Sequence, residues 1–204
     1  MTCSTPIIDL GFVAAPVPAG SHICQIYSSD SERDDALVKF VTKGLLLREY
    51  AACFSDHMDR DVLSACLKDA GISFDEAQAS GHLIASGAEA VYFEGNAFNP
   101  ERLLARLKKL RADSIESGCV GARVIGEMSP RIGRIEGGSR LFEYEGLVNA
   151  LLREQPLTAV CQYDARVFGG ATIMDILSVH PLMVVRGSVI QNPFFIAPES
   201  LNLN

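Results

Sequence analysis

Four histidines, six cysteines and a few carboxylates set in apolar runs are the residues of this 204-residue chain that could do chemistry. His22 and Cys24 alternate onto one face of the run HICQIY, Cys161 sits in TAVCQYD, and His180-Pro181 precedes LMVVRGSVI. Two imidazoles and two thiols could hold zinc or another soft metal if folding brought them together. Their spacing matches no known metal signature, and the reading adopted is two core thiols and two satisfied histidines. No metal and no cofactor is therefore expected. A Cys–His nucleophile finds no oxyanion site or orienting partner in the pattern. The chain carries no GxSxG, HExxH or GxGxxG, and His57 and His82, on a loop and a strand edge, have no partner apparent in the sequence. Cys3, Cys24, Cys53, Cys66, Cys119 and Cys161 form no CxxC pair and read as buried free thiols of a reducing cytoplasm.

The ends of the apolar runs carry a second set of polar groups. The first run ends at Tyr27-Ser28, the second at Ser55-Asp56, the fourth at Glu127 and the fifth at Tyr163-Asp164. Ligands of an open parallel sheet gather where strands end at their carboxyl edge. If the first, fourth and fifth strands are neighbours, Tyr27, Glu127 and Tyr163 converge on one pocket. Two phenols and a carboxylate beside apolar walls suit a small, partly polar molecule; the plainer alternative is ordinary strand-end tyrosines and a loop-anchoring Glu127. On a later helix, Glu143 serves the early turns and Glu145 turns inward if the pocket is polar. A phosphate loop after the first strand needs GxxxxGK[ST], so that backbone N–H groups and a lysine can hold the phosphates. The segment there is YSSDSERDDAL, with no glycine, no lysine and four acidic residues between Asp30 and Asp35, which repel phosphate.

Alternating strands and helices position these groups. Strands are expected at 22–27, 49–56, 82–86, 121–128 and 158–164, with a late strand or hairpin at 182–190. Helices are expected after Ser31 as cap, over 59–71 closed by Gly71, after the Ser73 cap, from Pro100, from Ser139 to just before Pro156, and over 170–180. Residues 87–99 and the glycine-rich 129–139 read as loops, and residues from 192 as an irregular tail. Buried-type strands alternating with helices mean an α/β three-layer sandwich around a mostly parallel sheet. One domain over 20–198 is expected, with an extended arm at 1–19, where Pro16 and Pro18 break any leader-like apolar run, and a tail at 199–204.

Composition narrows the functional classes. Apolar residues make 48% and charged residues 21%, which excludes disorder. With 18 basic against 25 acidic residues the net charge is −7, the wrong sign for broad contact with a nucleic-acid backbone. The basic face of RLLARLKKLR (102–111) reads as a solvated helix face rather than a nucleic-acid patch. No apolar run approaches the roughly 18 residues of a membrane span. A cytoplasmic protein, with no direct nucleic-acid partner and no membrane contact, is expected.

HICQIY, F-x-x-x-GLLLREYAACFSD, RVIGEMS, FEYEGLVNALL, AVCQYD, His180-Pro181 and Asn192-Pro193 together resemble the MEDS domain, the methanogen/methylotroph DcmR-type sensory domain, over about residues 20–198. That family is similar in turn to the KaiC/RecA-type ATPase fold, here without a working phosphate loop. The resemblance implies a first strand lying between the fourth and fifth, and Glu127 where the ATPases place an acidic residue. It carries over His22, Cys24, Tyr27, Glu127, Tyr144, Glu145, Cys161, Tyr163, His180 and Asn192 as family-like polar positions. The implied role is sensing of hydrocarbons or their one-carbon and halogenated derivatives. Members often carry an attached DNA-binding or kinase module; the short flanks here imply output through a signalling or regulatory protein partner or through a homo-oligomer. The expectation is a non-catalytic sensory protein binding a small organic ligand through Tyr27, Glu127, Cys161 and Tyr163, with Glu145 and Cys24 beside them. The alternatives are a residual nucleotide- or metal-dependent enzyme and a ligand-independent regulatory interaction module.

Overall fold

The computed structural model describes residues 6–155 and 157–197; Cys3, Pro156 and the tail at 199–204 lie outside the described residues. Strands β3 (His22–Tyr27), β4 (Tyr50–Phe54), β5 (Leu83–Ser86), β6 (Ala122–Glu127), β7 (Leu157–Asp164), β8 (Leu182–Val185) and β9 (Ser188–Gln191) build one sheet. Its order is β5-β4-β6-β7-β3-β8-β9, and every pairing is parallel except the closing β8–β9 hairpin. The mostly parallel sheet expected from sequence is thus present. The expected strand order needs correction: β7, the fifth strand of the sequence pattern, lies between the fourth and the first. β3 is buried along nearly its whole length and needs a partner on each edge; β7 supplies one and the hairpin strand β8 the other.

Helices cover both faces, because β4 and β6 are buried at every position and leave no face for water. On one face α1 (Asp30–Leu46), α2 (Arg60–Asp69) and α3 (Phe74–Ala79) pack Leu37, Phe40, Leu63, Leu67 and Phe74 against Ile23, Cys53, Ile125 and Val160. On the other, α4 (Ala88–Tyr92), α5 (Pro100–Glu116) and α6 (Leu141–Glu154) bury Tyr92, Leu107, Tyr144 and Val148 against Phe54, Val124 and Tyr163. Helix α7 (Gly170–Val179) closes that second face through Ile176. Burying each such side chain stabilises the fold by about 1.5–3 kcal/mol.

Three local expectations are corrected. Helix α1 is capped by Ser29, not Ser31: Glu32 N donates to Ser29 Oγ at 3.3 Å while the Glu32 carboxylate accepts from Ser28 N at 3.0 Å. This is a capping box, Ser-x-x-Glu, with the carboxylate reaching back one residue further than usual. Residues 87–99 are not all loop, since α4 and a one-turn 3₁₀ helix at Glu94–Asn96 lie within them. Of the five described cysteines only Cys24 and Cys53 are buried; Cys66, Cys119 and Cys161 are partly exposed.

The arm is packed as well as extended. β1 (Ile7–Ile8) pairs with β2 (Val17–Pro18), Leu10 is fully buried, and Phe12 stands edge-on to Phe40 at 6.2 Å. Beneath it lies Arg123, wholly buried on β6. Its guanidinium pairs with Glu49 and donates to Phe40 O at 3.0 Å and to Asp9 O at 3.1 Å. Gly44, inside α1, makes room for it: a Cβ there would stand 2.5 Å from Arg123 Cδ.

Candidate functional site

Strand alternation divides the chemistry of the chain between the two faces of the sheet. On β3 the residues Ile23, Gln25 and Tyr27 face α1, and His22, Cys24 and Ile26 face the opposite layer, as the two core clusters show. On β6 Glu127 shares the α1 side with Ile125, and on β7 Cys161 and Tyr163 share the α6 side with Ala159. Besides Glu49, which pairs with Arg123, two buried carboxylates result, Glu127 on one face and Glu145 on the other.

Glu127 stands at the carboxyl edge of the sheet and is 4% exposed. Tyr27 Oη donates to its Oε1 at 2.6 Å, and Ser55 Oγ, just past β4, to its Oε2 at 2.7 Å. His57 Nδ1 lies 2.9 Å from Oε1, and Arg33 Nη1, from the first turns of α1, stands 3.8 Å away. Burial and the bond to Glu127 push the Tyr27 phenol well above its ordinary range. Arg166 ties the rim together, donating to Asp164 at 2.7 Å and Asp30 at 2.6 Å. Beside Ser55 opens a cavity of about 180 Å³, walled by Cys53, Met58, Leu63, Phe74, Ala85 and Gly87. Burial pushes the Cys53 thiol up to about 12, which keeps it protonated and inert.

Glu145, from α6, is 1% exposed and lies under the other face. Tyr163 Oη donates to its Oε1 at 2.6 Å. Its Oε2 is 3.3 Å from His22 Nε2, 3.7 Å from His180 Nε2 and 3.9 Å from Cys161 Sγ. The two imidazole rings lie against each other tilted by 41°, with centroids 4.2 Å apart. Burial works to raise the Glu145 carboxyl, but the bond to His22 and the adjoining imidazoles outweigh it and hold the group below its ordinary value. Burial together with the His22 ring drives His180 down to about 4, so it is neutral near pH 7. Burial and the Glu145 charge raise the Cys24, Cys161 and Tyr163 hydroxyl and thiol groups far above their usual ranges.

The structure thus brings Tyr27 and Glu127 together as the strand ends implied, but separates Tyr163 from them. Tyr163 pairs in register with Ile26, one residue before Tyr27, and a single step along a strand reverses the face. The single pocket of Tyr27, Glu127 and Tyr163 is therefore corrected to two clusters. Cys161 and Glu145 join Tyr163, and Cys24 lies buried in the same layer. Asn192 supports α7 and its exit, donating to Leu177 O and His180 O at 2.6 and 2.8 Å. Sequence reasoning missed Ser55, His57 and Arg33 beside Glu127, and Arg123 with Glu49; a charged residue inside an otherwise apolar strand was the one available signal for the last pair. The basic face of α5 is engaged within the chain: Arg102 donates to Glu94 O and Ala97 O, Arg106 to Glu94, and Lys109 to Asp113. Among the described residues no helix is long and apolar enough to cross a membrane.

Comparison with known proteins gives this arrangement a context. Residues 21–181 match the model of the MEthanogen/methylotroph, DcmR Sensory domain, MEDS. Over 160 residues the chain is 25% identical to the transcriptional repressor DcmR of Methylorubrum extorquens, covering 78% of this chain and 57% of that protein. The chain therefore spans little more than half the length of that relative. Among solved structures it is similar to a KaiC-like protein of Pyrococcus horikoshii, with a TM-score of 0.61 at 13% identity over 88% of this chain and 79% of the other. It is also similar to the flagellar accessory protein FlaH of Methanocaldococcus jannaschii, at 0.61 and 11% identity, covering 91% and 84%. Likeness at such identity concerns the fold: a KaiC/RecA-like three-layer sandwich.

Proposed function

The chain belongs to the MEDS family of sensory domains, and from that premise we propose that it is a non-catalytic sensor of a small organic molecule, read out through a protein partner. The cavity beside Ser55 carries this reading. Its volume is about 180 Å³, and an apolar cavity of about 150 Å³ is enough to hold benzene. A molecule of a few carbons or halogens fits it; a nucleotide does not. Apolar walls from Met58, Leu63 and Phe74 take the body of the ligand. The polar groups of Gln78 and Ser86, in the same lining, take its polar end. The Ser55 hydroxyl, already bonded to Glu127 and to the His57 and Met58 N–H groups, fixes the wall.

The start of α1 supports the same reading. In a phosphate-binding member of such a fold the first helix turn offers free N–H groups to the anion. Here the Ser29 hydroxyl takes up the Glu32 N–H of that turn, the Glu32 carboxylate takes the Ser28 N–H just before the helix, and Asp30 adds charge that repels phosphate. Ligand entry shifts a conformational equilibrium only so far as the two states differ in affinity. Ser55, His57 and Glu127 form the linkage through which the cavity reaches Tyr27 and α1.

The experiment is a thermal-shift and calorimetric screen of one-carbon to six-carbon alcohols, ketones and halogenated alkanes, with ADP and ATP as comparators. At least one organic compound stabilises the protein, and Ala85→Leu, which fills the cavity, abolishes the shift. Stabilisation by ADP with none by any organic compound overturns the reading.

A further inference from the structure

We propose that His22, Glu145, Cys161 and His180 form a four-ligand site for a divalent transition metal of the zinc type. The four come from four elements: β3, α6, β7 and the residue that ends α7. One donor atom from each lies within 4.8 Å of all the others. Tetrahedral bonds of about 2.0–2.3 Å place neighbouring ligands about 3.3–3.8 Å apart. The measured separations are 3.3 Å for His22 Nε2 to Glu145 Oε2, 3.4 Å for His22 Nε2 to Cys161 Sγ, 3.7 Å for His180 Nε2 to Glu145 Oε2 and 3.9 Å for Cys161 Sγ to Glu145 Oε2. Four of the six donor pairs thus stand at or within about 0.1 Å of tetrahedral spacing, and the other two lie within 4.8 Å, so a small closure of the cluster would complete the shell.

The surrounding hydrogen bonds aim the donors inward. His180 Nδ1 lies 2.7 Å from Ile176 O, an acceptor, so that nitrogen carries the proton and Nε2 presents a lone pair. His22 Nδ1 lies 2.8 Å from Asn149 Oδ1, and Asn149 Nδ2 donates to Val179 O, which fixes the amide with its oxygen toward the ring. His22 Nε2 is thereby a second lone pair pointing at the same place. Tyr163 occupies Glu145 Oε1 and leaves Oε2 to the cluster. There its neighbours are the candidate ligand atoms His22 Nε2, His180 Nε2 and the donating Cys161 thiol, whose proton leaves when a metal binds. Imidazoles whose far nitrogen is held by a carbonyl oxygen, with a ligating carboxylate that is itself hydrogen-bonded, are the outer shell that metal sites use.

A proton alone does not satisfy this cluster. If His22 were an imidazolium paired with Glu145, the fully buried His180 Nε2 would still have no hydrogen-bond partner among the described residues. A dication does satisfy it. Cys161 releases its thiol proton to solvent as the metal binds, and one thiolate plus one carboxylate then neutralise the charge in a place without water. Two nitrogens, one oxygen and one sulfur select a borderline-soft ion over magnesium or calcium. Entry is on the Cys161 side: it is the one ligand that is not fully buried, and it borders a small cavity lined by Phe54, Tyr92, Leu107, Val124 and Tyr144. This site lies on the opposite face of the sheet from the cavity beside Ser55, and the two stand or fall separately.

The test starts from protein purified without chelator and analysed by elemental mass spectrometry, then stripped and titrated with zinc and with cobalt. One equivalent of metal per chain is expected. With cobalt, a thiolate charge-transfer band and strong tetrahedral d–d bands should appear. At free zinc a hundredfold above Kd the melting temperature should rise by roughly 5–10 °C. Cys161→Ser removes the charge-transfer band and His180→Gln weakens binding at least tenfold, while Cys66→Ser, which lies elsewhere, keeps the full signal. Circular dichroism of each variant shows that it has folded. Absence of metal together with no cobalt spectrum and no melting shift overturns the proposal. A cobalt spectrum unchanged in Cys161→Ser overturns it equally.

Discussion

Two carboxylates, Glu127 and Glu145, lie buried under opposite faces of one sheet, and their surroundings differ in kind. Glu127 is met by donors, namely the Tyr27 and Ser55 hydroxyls, with the His57 ring and Arg33 beside them, and His57 leaves this cluster open to solvent. Glu145 takes the Tyr163 hydroxyl on one oxygen; its other oxygen is approached by two imidazole nitrogens and by the Cys161 thiol, which donates to it at 3.9 Å. A carboxylate saturated by donors positions its neighbours, which suits the wall of a ligand cavity. A carboxylate facing imidazole nitrogens and a thiol has the neighbours of a coordination shell. The same residue type therefore has two uses, set by which atoms surround it.

Mutations can break this contrast, and the largest effect is expected at the sealed cluster. Glu145→Ala leaves the buried Tyr163 hydroxyl and Cys161 thiol without their acceptor. At about 1–3 kcal/mol for each unsatisfied buried group, it should cost about 2–6 kcal/mol in metal-free protein by denaturant titration. Glu127→Ala, whose partners reach water through His57, should cost clearly less in the same titration; equal costs would erase the distinction. The paired tyrosines sharpen it. Tyr163→Phe and Tyr27→Phe each delete one hydroxyl bound to a carboxylate, a loss of about 1.5–3 kcal/mol. Tyr163 is expected at the upper end and Tyr27 at the lower, because Ser55 and His57 still serve Glu127.

The smallest effect lies at the rim of the Glu127 face. The bond from Arg166 is the main influence on Asp164 and holds its carboxyl below the ordinary 3.8, so the folded chain binds that proton more weakly than the unfolded chain. Its stabilisation is complete above that ordinary value and is lost as pH falls through the lowered one. Arg166→Ala returns the folded value toward the ordinary one and shrinks the contribution. The acid-unfolding midpoint should then move up by less than about one pH unit, read by circular dichroism. A midpoint that moves down contradicts the assignment.

Much of the frame was legible in the sequence because burial writes itself into composition. YAACF is apolar throughout and HICQIY at four of its six positions, and both proved to be strands covered on both sides. Tyr27 and Glu127 could be paired because both end such strands. Tyr163 could not be placed, since its face depends on register across β7 and β3, which no local pattern encodes. The cap at Ser29 was legible as Ser-x-x-Glu but was displaced by the neighbouring Ser31. Helix α4 is too short for its period to show against the glycines around it. His57 and Ser55 owe their roles to a loop that meets Glu127 across 70 or more residues of chain.

The guanidinium of Arg123 has a consequence for how the N-terminal segment should be treated. One of its hydrogens ends on the backbone of Asp9, so residues 6–19 act as part of the floor on which β6 rests. Trimming the chain to begin at the first strand of the large sheet would leave Glu49 to balance the cation but would uncover it and leave one of its bonds unmade. A shortened version that behaves badly in solution would then be reporting the missing floorboard, with the sensing machinery itself untouched.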